Sequence, residues 1–477
     1  MPIRQLLAVS VLLGAIGSVA ADDWPQFRGP NAIGMAEGRK LPDKIGPDQN
    51  VIWRVELPAG HSSPVVVGNR IYVTAFADKK LLTIALERET GRKVWEDAAP
   101  YKALEKIHSI GSFAQPSPAA DEHVVVTFFG SSGLYCHDRA GKLLWSKPFG
   151  PFPNDFGAGS SPLIAGDRVI LNQDHDNGSF LLMLDKMTGE QIWKIDRSEF
   201  PRGYATPVIW TVNGKKQIVV AGTLRAVGYD FDTGKEIWTL RGRARIANMT
   251  PVIGPDNILY LASWAPGADE NDRIVTEPWD EMLAKHDKNK NGMLEFDEMP
   301  AGELKNRFTQ IDRDKDGHIS KQEYENMARI FVEAQNSIVA VKPGGTGDIT
   351  ATNVLWTQKK YLPYIPSPLY YTGHLYMIKN GGLLACLDPK DGKLLKQERV
   401  FGSANYYASP VAGDGKIYLF SEKGDASVVQ AGAEWEQLSR TKFGEAIYAT
   451  PAIVNGRIYV RTDGHLYCFG LKSLAGD

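Results

Sequence analysis

The chain has 477 residues, 43% of them hydrophobic and 23% charged, with a formal net charge of -2. That apolar content excludes a disordered chain, and a near-neutral balance argues against a nucleic-acid partner. The 47 glycines, 28 prolines and 11 tryptophans exceed an average share and point to many turns and many aromatic anchors.

Residues 1–21 read as a secretory signal peptide: Arg4, an apolar run from Leu6 to Ile16, then the small residues Ser18-Val19-Ala20-Ala21. The run is too short to span a bilayer, and no second stretch of membrane length follows, so no transmembrane segment is expected once the signal is removed. No Cys follows the small residues, which disfavours a lipid anchor. The expectation is an exported protein, periplasmic or extracellular. Cys136, Cys386 and Cys468 are far apart and odd in number, so they read as core thiols rather than as disulfides or a zinc site.

Beyond the signal, repetition organises the chain. Val51–Leu57 is a strand-like run carrying Trp53, and Ser63-Pro64 opens the first full repeat. Ser117-Pro118, Ser161-Pro162, Thr206-Pro207, Thr250-Pro251, Ser367-Pro368, Ser409-Pro410 and Thr450-Pro451 open seven more. Each is followed by a β-rich run such as Arg70–Val73 or Arg457–Val460, a third apolar run, a Gly-containing turn and often a Trp. The turn is clearest in Asp185-Lys186-Met187-Thr188-Gly189-Glu190-Gln191-Ile192-Trp193 and Asp230-Phe231-Asp232-Thr233-Gly234-Lys235-Glu236-Ile237-Trp238.

Four short strands per period predict a β-propeller blade. Gly supplies the positive φ of the hairpin, Pro opens a strand where its missing N–H costs little, and Trp is large enough to wedge between sheets. The outer-strand anchor positions are read as Trp53, Trp95, Trp145, Trp193, Trp238, Trp356, Leu395 and Leu438. Trp53 precedes the first Ser/Thr-Pro strand, so Val51–Leu57 is expected to complete the blade begun at Thr450. The fold class is therefore all-β: an eight-bladed β-propeller whose N-terminal strand closes the last blade.

Blade five is interrupted by roughly 70 extra residues containing two twelve-residue runs, Asp287–Glu298 and Asp312–Glu323. Both match the EF-hand pattern D-x-[DN]-x-[DN]-G-x5-E. Oxygen ligands are expected from Asp287, Asn289, Asn291, the Met293 carbonyl and Glu298, and from Asp312, Asp314, Asp316, the His318 carbonyl and Glu323. Leu294 and Ile319 are placed to pair the two loops, and helices are expected at Pro278–His286 and Ser320–Ala334. Loop two carries more ligand-position carboxylates, which predicts tighter calcium binding there. The division of the chain is then 1–21 signal, 22–263 first propeller part, 264–335 EF-hand pair and 336–477 second propeller part.

The Asp-x-x-Thr-Gly-x-x-x-Trp turns and the opening Asp23-Trp24-Pro25-Gln26-Phe27-Arg28-Gly29-Pro30 resemble the tryptophan-docked repeats of the pyrroloquinoline-quinone (PQQ)-like β-propeller superfamily. That group includes quinoprotein alcohol dehydrogenases and BamB-like subunits of outer-membrane protein assembly. The resemblance implies an envelope scaffold with protein partners, or a PQQ-dependent oxidoreductase. The adjacent Cys pair that marks the PQQ enzymes is absent here, so no motif supports PQQ.

Propellers gather the loops entering their inner strands at the central channel, where ligands sit. Here those loops supply His61, His108, Asn154-Asp155-Phe156, Arg202-Gly203-Tyr204, Arg243-Ala244-Arg245, Asn248, Tyr361, Tyr364, Asn405-Tyr406-Tyr407 and Tyr448. Tyr364, Tyr406 and Tyr448 recur near equivalent positions. Arg243 and Arg245 could meet carboxylates of a flat or acidic ligand, and a small-molecule or carbohydrate-binding channel is a third reading. Asp174-His175-Asp176 reads as a turn, with a metal or acid–base role as the alternative. The preferred function is an exported, calcium-binding interaction scaffold of the cell envelope, without an assigned catalytic residue.

Overall fold

The computed structural model describes residues 23–37, 40–151, 154–176 and 178–471; the expected signal segment lies outside them. Each Ser/Thr-Pro motif opens an inner strand, and three further antiparallel strands complete each blade. Blade one consists of Val65–Val67, Arg70–Ala77, Lys80–Glu87 and Lys93–Ala99, and the pattern repeats around eight sheets. The last sheet is completed by Val51–Glu56, which pairs with His465–Phe469 through Trp53↔Cys468 and Val55↔Leu466. The ring is thus closed by a strand from the other end of the chain, and this blade has no free outer edge where its third strand would otherwise lie open.

The inner strands are joined by a second closure. The Ser63 N–H donates to Ser117 Oγ, Ser117 to Ser161, Ser161 to Thr206 and Thr206 to Thr250. Thr250 donates to Ser367, Ser367 to Ser409, Ser409 to Thr450, and Thr450 back to Ser63. These eight bonds run from 2.9 to 3.3 Å and circle the channel without a break. The residue before each proline is thus a hydroxyl because its side chain satisfies the neighbouring blade's N–H, which would otherwise be buried without an acceptor.

At the periphery, each docking tryptophan lies on the turn glycine of the next blade: Trp53 on Gly91, Trp95 on Gly141, Trp145 on Gly189, Trp193 on Gly234 and Trp356 on Gly392. Four of the indoles also donate to a carbonyl of that turn, as Trp145 does to Lys186 at 2.8 Å and Trp356 to Pro389 at 2.9 Å. Trp238 is the exception; it donates to Gln217 and packs edge-on against Trp210. The turn beyond it instead sends Gly347–Asp348 to pair in parallel with its strand.

The register corrects two anchor positions. Every outer strand carries a bulge one residue before its anchor, and Leu395 and Leu438 occupy that bulge, both exposed. The anchors opposite Cys386 and Val428 are Lys396 and Ser439. Lys396 reproduces the tryptophan's polar contact, its Nζ donating to the Trp435 carbonyl at 2.9 Å and lying over the Trp435 ring. The four-residue spacing from turn glycine to tryptophan, as in Gly189 to Trp193, leads from Gly392 to Lys396, so the leucine reading followed the apolar residue rather than the spacing.

Residues 23–37 cross the end of the channel opposite the hydroxyl ring. Trp24 pairs with Val66 of blade one, and the Pro25 carbonyl accepts from Ala120 of blade two. Asn31 exchanges two bonds with Ile209 of blade four, and Ala412 of blade seven is gripped between Gly34 and Ala36. Arg28 is fully buried and donates to the Pro368 carbonyl at 2.6 Å. Burial pushes its guanidinium down to about 9.

Between the second and third strands of blade five lie helices α1 (Trp279–His286), α2 (Glu303–Asn306), α3 (Phe308–Ile311) and α4 (Lys321–Glu333). Leu294–Glu295 and His318–Ile319 form a two-stranded ribbon in which Leu294 opposes Ile319. Trp279, Met282, Met299, Phe308, Ile311 and Tyr324 complete a separate small core. Ser320 and Glu323 form a reciprocal capping box that starts α4.

Candidate functional site

The inner strands enter the ring in extended conformation, so residues two apart share a face. Seven of the eight hydroxyl residues, all but Thr206, face the channel, and so does the residue two before each of the eight: His61, Gln115, Gly159, Tyr204, Asn248, Ile365, Tyr407 and Tyr448. Together with Phe156, Tyr364, Ile110 and Ile246 they surround a cavity of about 220 Å³. Phe27, from the segment crossing beneath, also lines it and closes the floor.

The rings are arranged against one another. His61 stacks on Tyr448 at 4.2 Å between centroids, Tyr407 packs on Tyr448 at 5.5 Å, and Tyr204 meets Phe156 edge-on. Burial, with the charge of Arg461 adding to it, holds the His61 imidazole down to about 4, so the stack is neutral at physiological pH. Burial likewise pushes the Tyr204, Tyr407 and Tyr448 phenols up. No Asp, Glu, Lys or Arg lines the cavity among the described residues.

Several expected site residues lie elsewhere. Tyr406 is buried and donates to the Phe401 carbonyl; its neighbour Tyr407 is the one in the channel, again a slip of one position. Arg243 donates to the Leu261 carbonyl and Ser337 Oγ, and Arg245 to the Pro266 carbonyl, so neither meets a channel ligand. His108 packs on Phe156, and Asn405 is held by Glu422. Asp174 forms a buried bidentate pair with Arg197 at 2.7–2.8 Å, and Asp176 another with Arg202 at 2.6–2.8 Å. These carboxylates are consumed by structural pairing. The floor residue Phe27 was not singled out from the sequence, because its stretch has no period to place it.

In the inserted segment, the second loop draws the carboxylate oxygens of Asp312, Asp314 and Glu323 within 4.8 Å of one another. Asp312 accepts from the Gly317 N–H, yet its buried Oδ1 has no partner, and burial pushes the carboxyl up. Asp316 accepts from the His318 N–H, and Glu323 from the Arg313 N–H. In the first loop Asp287 accepts from the Asn291 and Gly292 amides, Asn289 from the Asn291 amide, and Asn291 from the Met293 amide. Glu298 accepts from Lys288, and the Asn291 side chain is turned to Glu295. His318 Nδ1 also meets Glu295 at 2.9 Å, tying the loops together. The cluster of three carboxylates forms in loop two; among the described residues no equivalent forms in loop one.

This segment rests on the propeller. The Arg313 guanidinium donates to the carbonyls of Asp176 at 3.2 Å and Ser198 at 2.8 Å, both in blade three. Arg202, held by Asp176, also grips Asp155 at 2.6 Å, and Asn154 next to it accepts from the Tyr204 hydroxyl. Gln310, Met327 and Ile330 line a small cleft with Arg202, Arg245 and Ile246. A continuous set of contacts thus joins loop two to Tyr204 and Ile246 on the cavity wall.

Eight blades, five of them docked by a tryptophan on the next blade's turn glycine, define a PQQ-like β-propeller around a neutral channel. The chain belongs to the PQQ_2 family, whose description is outer membrane protein assembly factor BamB; its model matches residues 46–154, 111–264 and 311–473. The outer membrane protein assembly factor BamB of Yersinia pestis is 21% identical over 422 residues, 83% of this chain and 91% of that protein. Among solved structures, BamB from Moraxella catarrhalis superposes with a TM-score of 0.55 at 13% identity, covering 89% of this chain and 99% of that one. Quinohemoprotein alcohol dehydrogenase from Comamonas testosteroni gives 0.59 at 14% identity, covering 97% and 83%. At these identities the structural likeness establishes the fold alone.

The fold invites a test of the channel against PQQ. The described residues do not fit it: PQQ is a flat polycarboxylate, and none of them presents a basic side chain to its carboxylates in the cavity. Cys136, Cys386 and Cys468 are buried singly in blades two, six and eight.

Proposed function

We propose that this protein is an exported, calcium-binding β-propeller that serves as a protein-interaction scaffold of the cell envelope. The observation that carries this reading is the family match, which runs through the whole ring and belongs to an outer-membrane assembly factor. Export rests on the signal-like residues 1–21, and protein partners in the envelope follow from the relatives' printed role.

Residues 264–335 act in this reading as a calcium module between propeller parts 22–263 and 336–477. Loop two holds the ion through Asp312, Asp314, Asp316, the His318 carbonyl and Glu323, supported by the unpartnered Asp312 oxygen and the three-carboxylate cluster. Loop one, with Asp287, Asn289, Asn291, the Met293 carbonyl and Glu298, is the weaker site. Calcium supplies a compact positive charge that gathers these oxygens.

The test is co-purification of the tagged protein with the outer-membrane assembly machinery, with and without chelator. PQQ reconstitution and dye-linked alcohol oxidation are run on the same preparation. A stoichiometric envelope complex supports the scaffold. PQQ-dependent turnover, or no complex under either condition, overturns it.

A further inference from the structure

The hydroxyl ring has a property that ring closure does not use. Each Ser or Thr oxygen accepts its neighbour's N–H, and among the described residues no acceptor takes the hydroxyl's own proton. Seven of the eight line the cavity, all but Thr206. The channel therefore presents a circle of O–H donors, and whatever fills it must offer oxygen acceptors or leave those donors to water.

The rest of the lining narrows the choice. Tyr204, Tyr364, Tyr407 and Tyr448 provide aromatic faces, and Gln115 and Asn248 provide amides. Among the described residues no charged side chain lines the cavity, so an anion or cation would lose its hydration without a counter-charge. Phe27 adds a further aromatic ring to the lining. A compact, neutral, oxygen-rich ligand with an apolar face satisfies these conditions. A sugar ring has that chemistry: its C–H face packs on aromatic rings, and its hydroxyls both accept and donate.

We propose that the central cavity binds a neutral sugar ring, either as a free monosaccharide or as the terminal residue of a neutral glycan. This goes beyond the scaffold reading and stands on the channel alone.

The full-length protein is applied to an array of neutral and acidic glycans. The bound sugar is followed by saturation-transfer NMR with its methyl glycoside, and PQQ and glucuronate serve as anionic probes. Retention of a neutral glycan is expected, with at least tenfold weaker binding in Tyr448→Ala and Ile110→Asp. Ile110 is 38% exposed at the cavity mouth, so its replacement leaves the core intact and reads binding alone. Equal affinity for glycoside and glycan assigns a free sugar, and tighter glycan binding assigns a terminal residue. The proposal is overturned if no neutral glycan is retained, if Ile110→Asp leaves binding unchanged, or if PQQ or glucuronate binds as tightly.

Discussion

Gly189 shows how one residue joins two blades. Its φ is +70°, in the left-handed region, and a Cβ there would stand 2.6 Å from the Trp145 ring. Gly166 has nearly the same φ, +68°, with nothing within 4 Å of such a Cβ. Gly166→Ala should therefore cost only backbone strain, about 1 kcal/mol. Gly189→Ala should cost about 2–4 kcal/mol, because the indole must also leave its seat. Urea unfolding of the two variants measures the difference, and equal losses would show that docking contributes nothing. Histidines give a second residue-scale expectation. Burial, with Arg461 adding, holds His61 down to about 4; burial, with Lys194 adding, does the same to His175. The unfolded imidazoles titrate near 6.5, so between pH 6.5 and 4 the unfolded state binds more protons and stability falls as pH falls. A His61→Gln, His175→Gln double variant should show a smaller drop in Tm between pH 7.5 and pH 5 than the parent; an identical drop would assign the acid sensitivity elsewhere.

The inserted loops differ from each other as elements. Loop two presents three clustered carboxylates and an unpartnered Asp312 oxygen, whereas loop one spends Asn291 on Glu295. Calorimetry should find that Glu323→Gln removes the tighter calcium-binding event and that Glu298→Gln affects only the weaker one. Equal losses, or no calcium heat in the parent, would refute the ranking. Arg313 lies beside the first ligand position of loop two and holds two carbonyls of blade three. Calcium should therefore increase hydrogen-exchange protection at residues 198–203, and Arg313→Met should abolish that increase while calcium still binds. Protection that persists in the variant would detach the module from the channel wall. The two loops stand out in the sequence because the EF-hand pattern is one of short-range spacing. The six tryptophan anchors are legible at the residue itself, and the reading slips by one position only where Trp is lost: Leu395 against Lys396 and Leu438 against Ser439, with Tyr406 against Tyr407 a slip of the same size in the channel. Bulges and strand phase decide which face a residue takes, and those depend on the neighbouring strand.

At the scale of the whole molecule, the number of blades and their closure follow from the repeat and from Trp53 preceding the first inner strand. The channel floor does not follow, because residues 23–37 are aperiodic and their partners belong to five blades that only the closed ring brings together. The N-terminal stretch therefore has two separable roles. Val51–Glu56 completes the eighth sheet, and residues 23–37 seat Phe27 beneath the cavity and bury Arg28. A chain beginning at residue 47 keeps the closing strand and should remain monomeric, with a lower Tm and a channel open at both ends. A chain beginning at residue 58 also exposes the backbone of His465–Phe469, an apolar strand left without its partner. Such an edge pairs with other chains, so this second truncation should self-associate in size-exclusion chromatography. If both truncations stay monomeric with the same unfolding midpoint, the closing strand contributes nothing beyond the floor. If the shorter deletion alone aggregates, the seal under the channel, rather than the eighth blade, is what holds the ring together.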